Sequence, residues 1–106
     1  MKITLLNTSA LTAYGTFDFQ PISLLEAREL VKRAEIISAI GHAATAEIFS
    51  EELGIEVKLN RFDFVQNVDE TAIVFKLKTR IAEGKVLDRT EIEEIGYEFG
   101  ILRRLR

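Results

Sequence analysis

The sequence predicts a single α+β (α/β) domain, residues 1–106, in which a mixed sheet of about five strands is flanked by helices. Apolar runs of strand length alternate with helical patterns along the chain. Two of these runs, residues 55–64 and 71–78, are separated by a short turn and are expected to pair as an antiparallel hairpin, which an all-parallel sheet does not allow. The chain contains one proline and no linker-like stretch, so no domain boundary is expected within it.

The composition excludes several classes of protein. With 14 basic and 17 acidic residues the net charge is −3, which disfavours strong binding to long nucleic acids. The absence of cysteine excludes disulfides and structural zinc–thiolate sites. No apolar run reaches the roughly 18 residues of a membrane span, and the N-terminus becomes polar at Asn7, too soon for a signal peptide. We expect a cytoplasmic protein, and no metal site or cofactor is predicted.

The first third of the chain predicts two strands and a helix. Residues 2–8 predict a strand in which Ile3 and Leu5 face one way and Thr4 and Leu6 the other, which suits a central strand that is covered on both faces. Residues 16–20 predict a short second strand, which Pro21 is expected to close. Ser23 and Glu26 have the spacing of a capping box and are expected to begin a helix of about ten residues.

The second helix is expected from His42 to about Leu53, ending at Gly54. The first turn of this helix carries the small side chains of alanine. Small side chains favour close packing on the sheet and also let a ligand approach the exposed backbone N–H groups. His42 is the only histidine, and histidine is the side chain that ordinarily titrates near neutral pH. Two interpretations stay open: His42 performs acid–base chemistry, or it is a structural residue that caps the helix or lies half-buried.

Residues 55–64 predict a strand with an irregularity. Ile55, Val57 and Leu59 define its inward face. The same alternation then places Arg61 and Asp63 inward as well, and Phe62 on the opposite face. Either a bulge reverses the register and leaves Arg61 in water, or Arg61 points into a polar pocket at the end of the strand.

The remainder of the chain predicts a strand, a helix and a last strand. After a short turn, residues 71–78 form a strand in which Lys76 lies on the face opposite to the apolar one. Asp88 and Glu91 form a second capping box, which begins a short helix. The tail, residues 99–105, predicts the last strand.

The chemistry-bearing residues stand at the ends of apolar elements. The sequence contains no phosphate-binding glycine loop and no nucleophile-elbow motif. Ligand sites in α/β sheets gather at the ends of strands and the starts of helices. The polar residues at such positions are Asn7, His42, Arg61, Arg80 and Glu83. The combination indicates anion recognition together with one titratable group.

Three short segments follow one another in a specific order, after an opening strand that ends in Asn7. They are Ile40-Gly41-His42-x-x-Thr45, Asn60-Arg61 and Thr79-Arg80-x-x-Glu83-Gly84-Lys85. Together these segments closely resemble the viral type III anti-CRISPR ring-nuclease family over nearly the whole chain.

The resemblance implies a fold and an activity. Members of that family are metal-independent enzymes that cleave cyclic tetra-adenylate, the second messenger of type III CRISPR defence, and so switch off its signalling. Their fold is a mixed sheet flanked by helices, and they work as homodimers that hold the cyclic ligand across the two-fold axis. The chain is thus expected to bind cyclic tetra-adenylate without a cofactor, in the cytoplasm of the host if a phage encodes it.

The resemblance also assigns roles to residues. His42 matches the catalytic histidine, a general acid that protonates the leaving 5′-oxygen after a ribose 2′-hydroxyl has attacked the phosphate. Arg80 matches an arginine that stabilises charge on the phosphate, and Glu83 matches its acidic partner. The positions implied to contact the ligand are Asn7, Thr45, Arg61 and Lys76.

Some positions depart from the pattern of the viral members. Ala43 and Ala44 replace polar residues, and Lys76 stands where an uncharged polar residue is common. Residues 8–10 after Asn7 are Thr-Ser-Ala, so some polar contacts of the family are expected to be missing or replaced. These changes bear on affinity and ring-size preference more than on the reaction, and they make the chain look closer to bacterial or phage members. The alternative function is a non-catalytic protein that binds a cyclic nucleotide or a nucleic acid.

Overall fold

The computed structural model describes residues 1–79 and 87–106. Within these residues, five strands and three helices follow one another along the chain. They are β1 (Lys2–Leu6), β2 (Phe17–Ile22), α1 (Leu24–Lys32), β3 (Glu35–Ala39), α2 (Ala43–Leu53), β4 (Thr71–Leu77), α3 (Arg89–Ile95) and β5 (Tyr97–Arg104).

The strands form one mixed sheet in the order β2-β5-β4-β1-β3, which confirms the predicted architecture. β1 is parallel to both of its neighbours, β3 and β4. β5 runs antiparallel to β4 and to β2, so it is the strand that makes the sheet mixed. Because β1 is a central strand, both of its faces are covered. Leu5 is buried in the main core on one face of the sheet, and Leu6 is buried in a second cluster on the other face.

The predicted hairpin of residues 55–64 and 71–78 is wrong, because residues 55–67 form neither helix nor strand. Their backbone is held by hydrogen bonds to side chains instead of by hydrogen bonds to a neighbouring strand. Val57 N donates to Ser50 Oγ at 2.9 Å, and Ser38 Oγ donates to the Lys58 carbonyl oxygen at 2.6 Å. β3 was not predicted from the sequence, because its half-buried side chains carry no clear alternation over five residues.

Pro21 does not close β2, which continues to Ile22. Pro21 lies opposite Gly100 at the edge of the sheet, a position that tolerates a residue without a backbone N–H.

The helix ends follow the predicted local signals. Ser23 Oγ accepts from Glu26 N at 3.1 Å and begins α1. Asp88 and Glu91 form the reciprocal bonds of a capping box at α3. Gly54 ends α2 in the left-handed conformation, with φ +69°.

All three helices pack on one face of the sheet. Their buried side chains share the main core with β1, β4 and β5, and the fully buried ring of Phe49 lies 5.2 Å from that of Phe99. The other face carries a smaller cluster, against which Phe17 and Phe64 pack. Irregular chain, rather than a helix, therefore covers part of this second face, and the candidate site lies beside it.

Candidate functional site

The carboxyl ends of three parallel strands meet at one edge of the sheet. Asn7 follows β1, Gly41 and His42 follow β3 after one intervening residue, and Thr79 follows β4. Because β1 is parallel to both β3 and β4, these residues come together at the position where α/β sheets usually bind ligands.

The peptide groups on either side of Gly41 are held by two predicted site residues. Gly41 N donates to Asn7 Oδ1 at 3.3 Å, and Arg61 Nε donates to the Gly41 carbonyl oxygen at 2.8 Å. These bonds orient both side chains. No described residue accepts from Asn7 Nδ2 or from the terminal guanidinium nitrogens of Arg61. A phosphate or a nucleobase could accept hydrogen bonds from these donors.

Arg61 reaches this edge because the residue before it is tied to the end of β3. Asn60 N donates to the Ile40 carbonyl oxygen at 2.9 Å, and Asn60 Nδ2 donates to the Ser38 carbonyl oxygen at 2.8 Å. Both sequence interpretations assumed a strand, and no strand is present here, so each describes Arg61 only in part. The side chain remains exposed to solvent while it lines that pocket.

The pocket has a volume of about 490 Å³ and opens at the surface. It is lined by Asn7, Ala39, Gly41, Arg61, Phe62 and Asp63. A neighbouring pocket of about 250 Å³ shares four of these residues and extends under residues 8–12. The lining thus combines an amide, a guanidinium, an exposed aromatic ring and a carboxylate.

His42 occupies the N-cap position of α2, with φ −125° and ψ 127°. Its side chain makes no capping hydrogen bond and is exposed, so neither structural interpretation, capping or half-burial, describes it. Its backbone adjoins Gly41, but its imidazole is not among the groups that line the pocket.

Thr45 and Lys76 lie away from the pocket. Thr45 is 4% exposed, so α2 offers little of its side chain to a ligand. Lys76 lies 3.6 Å from Glu98, with which it forms an ion pair, and lines a different pocket of about 400 Å³ between β2 and β4. Arg80 and Glu83 lie outside the described residues.

Phe62 and Asp63 were assigned no role by sequence analysis. The strand pattern treated them as the outer and inner residues of a ladder that does not form. The available signal was the polar-aromatic run from Asn60 to Asp63, at the point where the apolar alternation fails.

The outer face of α2 and α3 is acidic. Arg89 pairs with Glu47 at 2.6 Å, with Glu93 at 3.0 Å and also with Glu51. The hydrogen bond from Arg89 lowers the pKa of Glu51 below its ordinary value. One cation among three carboxylates leaves this face negative, so it is unsuited to a polyanion.

Residues 1–79 and 87–106 contain neither a metal-binding cluster nor a membrane-spanning helix. No group of three or more His, Cys, Asp or Glu side chains is arranged to hold a metal ion. In the same part of the chain, no helix has the length and apolar character to cross a membrane.

Comparison with known proteins identifies relatives in viruses and bacteria. Uncharacterized protein ORF117 of Acidianus two-tailed virus is 36% identical over 93 residues, which cover 85% of this chain and 80% of that protein. Uncharacterized protein YddF of Bacillus subtilis strain 168 is 33% identical over 107 residues, 99% of both chains. Because these identities are similar, a closer kinship to bacterial or phage members stays a prediction.

Structure comparison supports the same relationship at the level of the fold. B116 of Sulfolobus turreted icosahedral virus superposes with a TM-score of 0.72 at 22% identity, covering 98% of this chain and 100% of that one. The sequence model of the family described as STIV B116-like matches residues 3–99. A match of that extent shows that this chain belongs to the STIV B116-like family.

Proposed function

We propose that this protein is a metal-independent ring nuclease that cleaves cyclic tetra-adenylate and thereby switches off type III CRISPR signalling. The observation that carries the proposal is the pocket at the carboxyl edge of the sheet, where Asn7 and Arg61 hold the Gly41 peptide next to the exposed His42. The donors of Asn7 and Arg61 that have no acceptor among the described residues suit a phosphodiester, and the adjacent imidazole suits proton transfer.

The proposed reaction needs no external nucleophile. The ribose 2′-oxygen forms a bond to phosphorus, the bond from phosphorus to the 5′-oxygen breaks, and a 2′,3′-cyclic phosphate results. His42 donates a proton to the departing 5′-oxygen, and the 2′-hydroxyl proton passes to solvent. General acid catalysis of this kind contributes roughly 10²–10⁴-fold to a rate.

Arg80 and Glu83 keep the roles that the family resemblance implies, charge stabilisation on the phosphate and its acidic partner.

We further propose that the active species is a homodimer. A cyclic tetranucleotide has two-fold symmetry, and an isologous dimer offers two copies of one half-site to it. Light scattering with and without the ligand tests this point, and a monomer that turns over the ligand would contradict it.

The decisive assay is incubation of labelled cyclic tetra-adenylate with the protein in excess chelator. We expect linear products that end in a 2′,3′-cyclic phosphate. The His42→Ala variant should lose at least 100-fold in rate, on the order of the general-acid contribution. Lys58→Ala, an exposed residue outside the pocket, is the matched control. No cleavage by the wild type, or undiminished cleavage by His42→Ala, would overturn the proposal.

One observation favours a second candidate, a protein that binds a cyclic nucleotide without turnover. The His42 imidazole is not among the groups that line the pocket. Tight binding with intact ligand after long incubation would favour this function over catalysis. Salt-sensitive binding to arbitrary DNA would instead favour a nucleic-acid-binding protein, although the net charge of −3 opposes it.

A further inference from the structure

We propose that Phe62 and Asp63 form a nucleobase subsite that selects a purine with an exocyclic amine, such as adenine. This inference rests on the proposed function, because it assigns the base-reading groups of the same pocket. Both residues line the pocket together with Asn7 and Arg61.

Phe62 has the geometry of a stacking platform. The residue is 46% exposed, so part of its ring is open to a ligand. The ring is nevertheless held in place, since it packs edge to face on Phe64 with 6.4 Å between the ring centroids and an interplanar angle of 89°. Phe64 in turn packs against the smaller cluster of the sheet. An exposed ring on a fixed support suits a base that has been splayed out of a stack.

Asp63 distinguishes this pocket from a simple phosphate site. Its carboxylate is exposed and makes no hydrogen bond or ion pair with any described residue, Arg61 included. A carboxylate repels phosphate, so a ligand that contained only phosphate would bind poorly beside it. A ligand with a hydrogen-bond donor satisfies the carboxylate, and the exocyclic amine of adenine is such a donor.

The remaining groups complete the recognition of a nucleotide. Arg61 presents its terminal guanidinium nitrogens for the phosphate, and Asn7 presents Nδ2 as a donor for a ring nitrogen. The neighbouring pocket of about 250 Å³, which shares Asn7, Phe62 and Asp63, provides room for the sugar and base together. Phosphate, ring face and amine are thus each matched by a different side chain.

The test compares two rings that differ at position 6 of the purine and at the adjacent N1. Cyclic tetra-inosinate carries a carbonyl oxygen, an acceptor, where cyclic tetra-adenylate carries the amine, and its N1 bears a hydrogen where that of adenine is an acceptor. Calorimetric titration in the His42→Ala background keeps both rings intact. We expect tighter binding of cyclic tetra-adenylate, and we expect Asp63→Asn to lower that preference by roughly 10-fold, since an amide also donates to the inosine oxygen.

Stacking is tested separately. Phe62→Leu should weaken binding of both rings by roughly 5- to 100-fold, whereas Phe62→Trp should retain the affinity. The matched controls are Tyr14→Leu, which changes an exposed aromatic residue, and Asp69→Asn, which changes a carboxylate just before the start of β4, at the opposite end of the strands. Neither control should change affinity or preference.

The outcomes separate this inference from the function on which it rests. If the protein binds neither ring, the proposed function fails and the subsite fails with it. If it binds both rings equally, or if Asp63→Asn leaves the preference unchanged, only the amine-reading role is wrong. Wild-type affinity in Phe62→Leu would overturn the stacking role.

Discussion

Two glycines flank α2, and their replacement by alanine should have opposite consequences. Gly41 precedes the helix, and Gly54 ends it. Gly41 has no left-handed backbone, so alanine is acceptable to its φ angle, but a Cβ there would lie 3.3 Å from Arg61 Cγ and 3.5 Å from Nε. Gly54 has φ +69°, and a Cβ there meets nothing within 4 Å. The first substitution therefore disturbs a neighbour, and the second strains the backbone.

The magnitude for Gly41→Ala follows from these distances. Carbon atoms prefer a separation of about 3.5–4.0 Å, so the stem of Arg61 must move by a few tenths of an ångström and weaken its bond to the Gly41 carbonyl oxygen. An exposed hydrogen bond of this kind is worth about 0.5–1 kcal/mol. Replacing glycine by alanine recovers about 0.4–1 kcal/mol by restricting the unfolded chain. The free energy of unfolding should consequently change by less than about 0.5 kcal/mol.

Ligand affinity should respond more strongly than stability. Arg61 is expected to make charge-assisted hydrogen bonds to a phosphate, worth about 1.5–3 kcal/mol each. Displacing its guanidinium should therefore lower the affinity of Gly41→Ala for cyclic tetra-adenylate by roughly 10-fold or more. Gly54→Ala should bind like the wild type but lose about 1–2 kcal/mol of stability, a fall of roughly 5–10 °C in Tm.

The assay is thermal unfolding together with calorimetric titration on both variants. Equal losses of Tm in the two variants would refute the assignment of strain to Gly54 alone. Wild-type affinity in Gly41→Ala would refute the view that the Gly41–Arg61 contact orients a ligand-binding side chain.

Three other perturbations have defined outcomes. Arg89 lowers the pKa of Glu51 from its ordinary 4.5, so their ion pair stabilises the fold at higher pH and is lost as the pH falls below about 4.5. Thermal scans at several pH values should therefore show a drop in Tm below this pH, and a smaller drop in the Arg89→Met variant. Gly100→Ala would place a Cβ against the Phe19 ring, so chemical denaturation should show a loss of about 1–3 kcal/mol, which the additional change Phe19→Leu partly restores. The fully buried Gln66 donates to the backbone carbonyl oxygens of Glu70 and Leu102 at 2.9 Å. The Glu70 oxygen also accepts from Arg104 N, so Gln66→Leu should cost about 1–3 kcal/mol in total in urea unfolding; a smaller loss would show that water replaces the amide.

The helix ends were predicted correctly because their signals are local. Ser23 with Glu26, and Asp88 with Glu91, act within three residues of each other, and Gly54 ends α2 through its own backbone conformation. Such signals are complete in a short stretch of sequence, so no knowledge of the distant chain is needed.

The errors concern contacts between distant residues. The alternation of residues 55–64 is real, but their backbone partners are the side chains of Ser38 and Ser50 and the end of β3. β3 is recognised as a strand only in the tertiary structure, where it pairs with β1. Strand pairing depends on which edge is available, and a hydrophobic period does not carry that information.

The same division holds for the candidate site. The sequence by itself determined that His42 is the only histidine, that it begins a helix, and that Asn7 and Arg61 stand at the ends of apolar runs. Only the tertiary structure decided that Asn7, 34 residues from Gly41, and Arg61, 20 residues from it, hold its two peptide groups, and that Phe62 and Asp63 complete the pocket. The reason is physical: local spacing sets the helix start, whereas the parallel order of β3, β1 and β4 brings distant side chains to one edge.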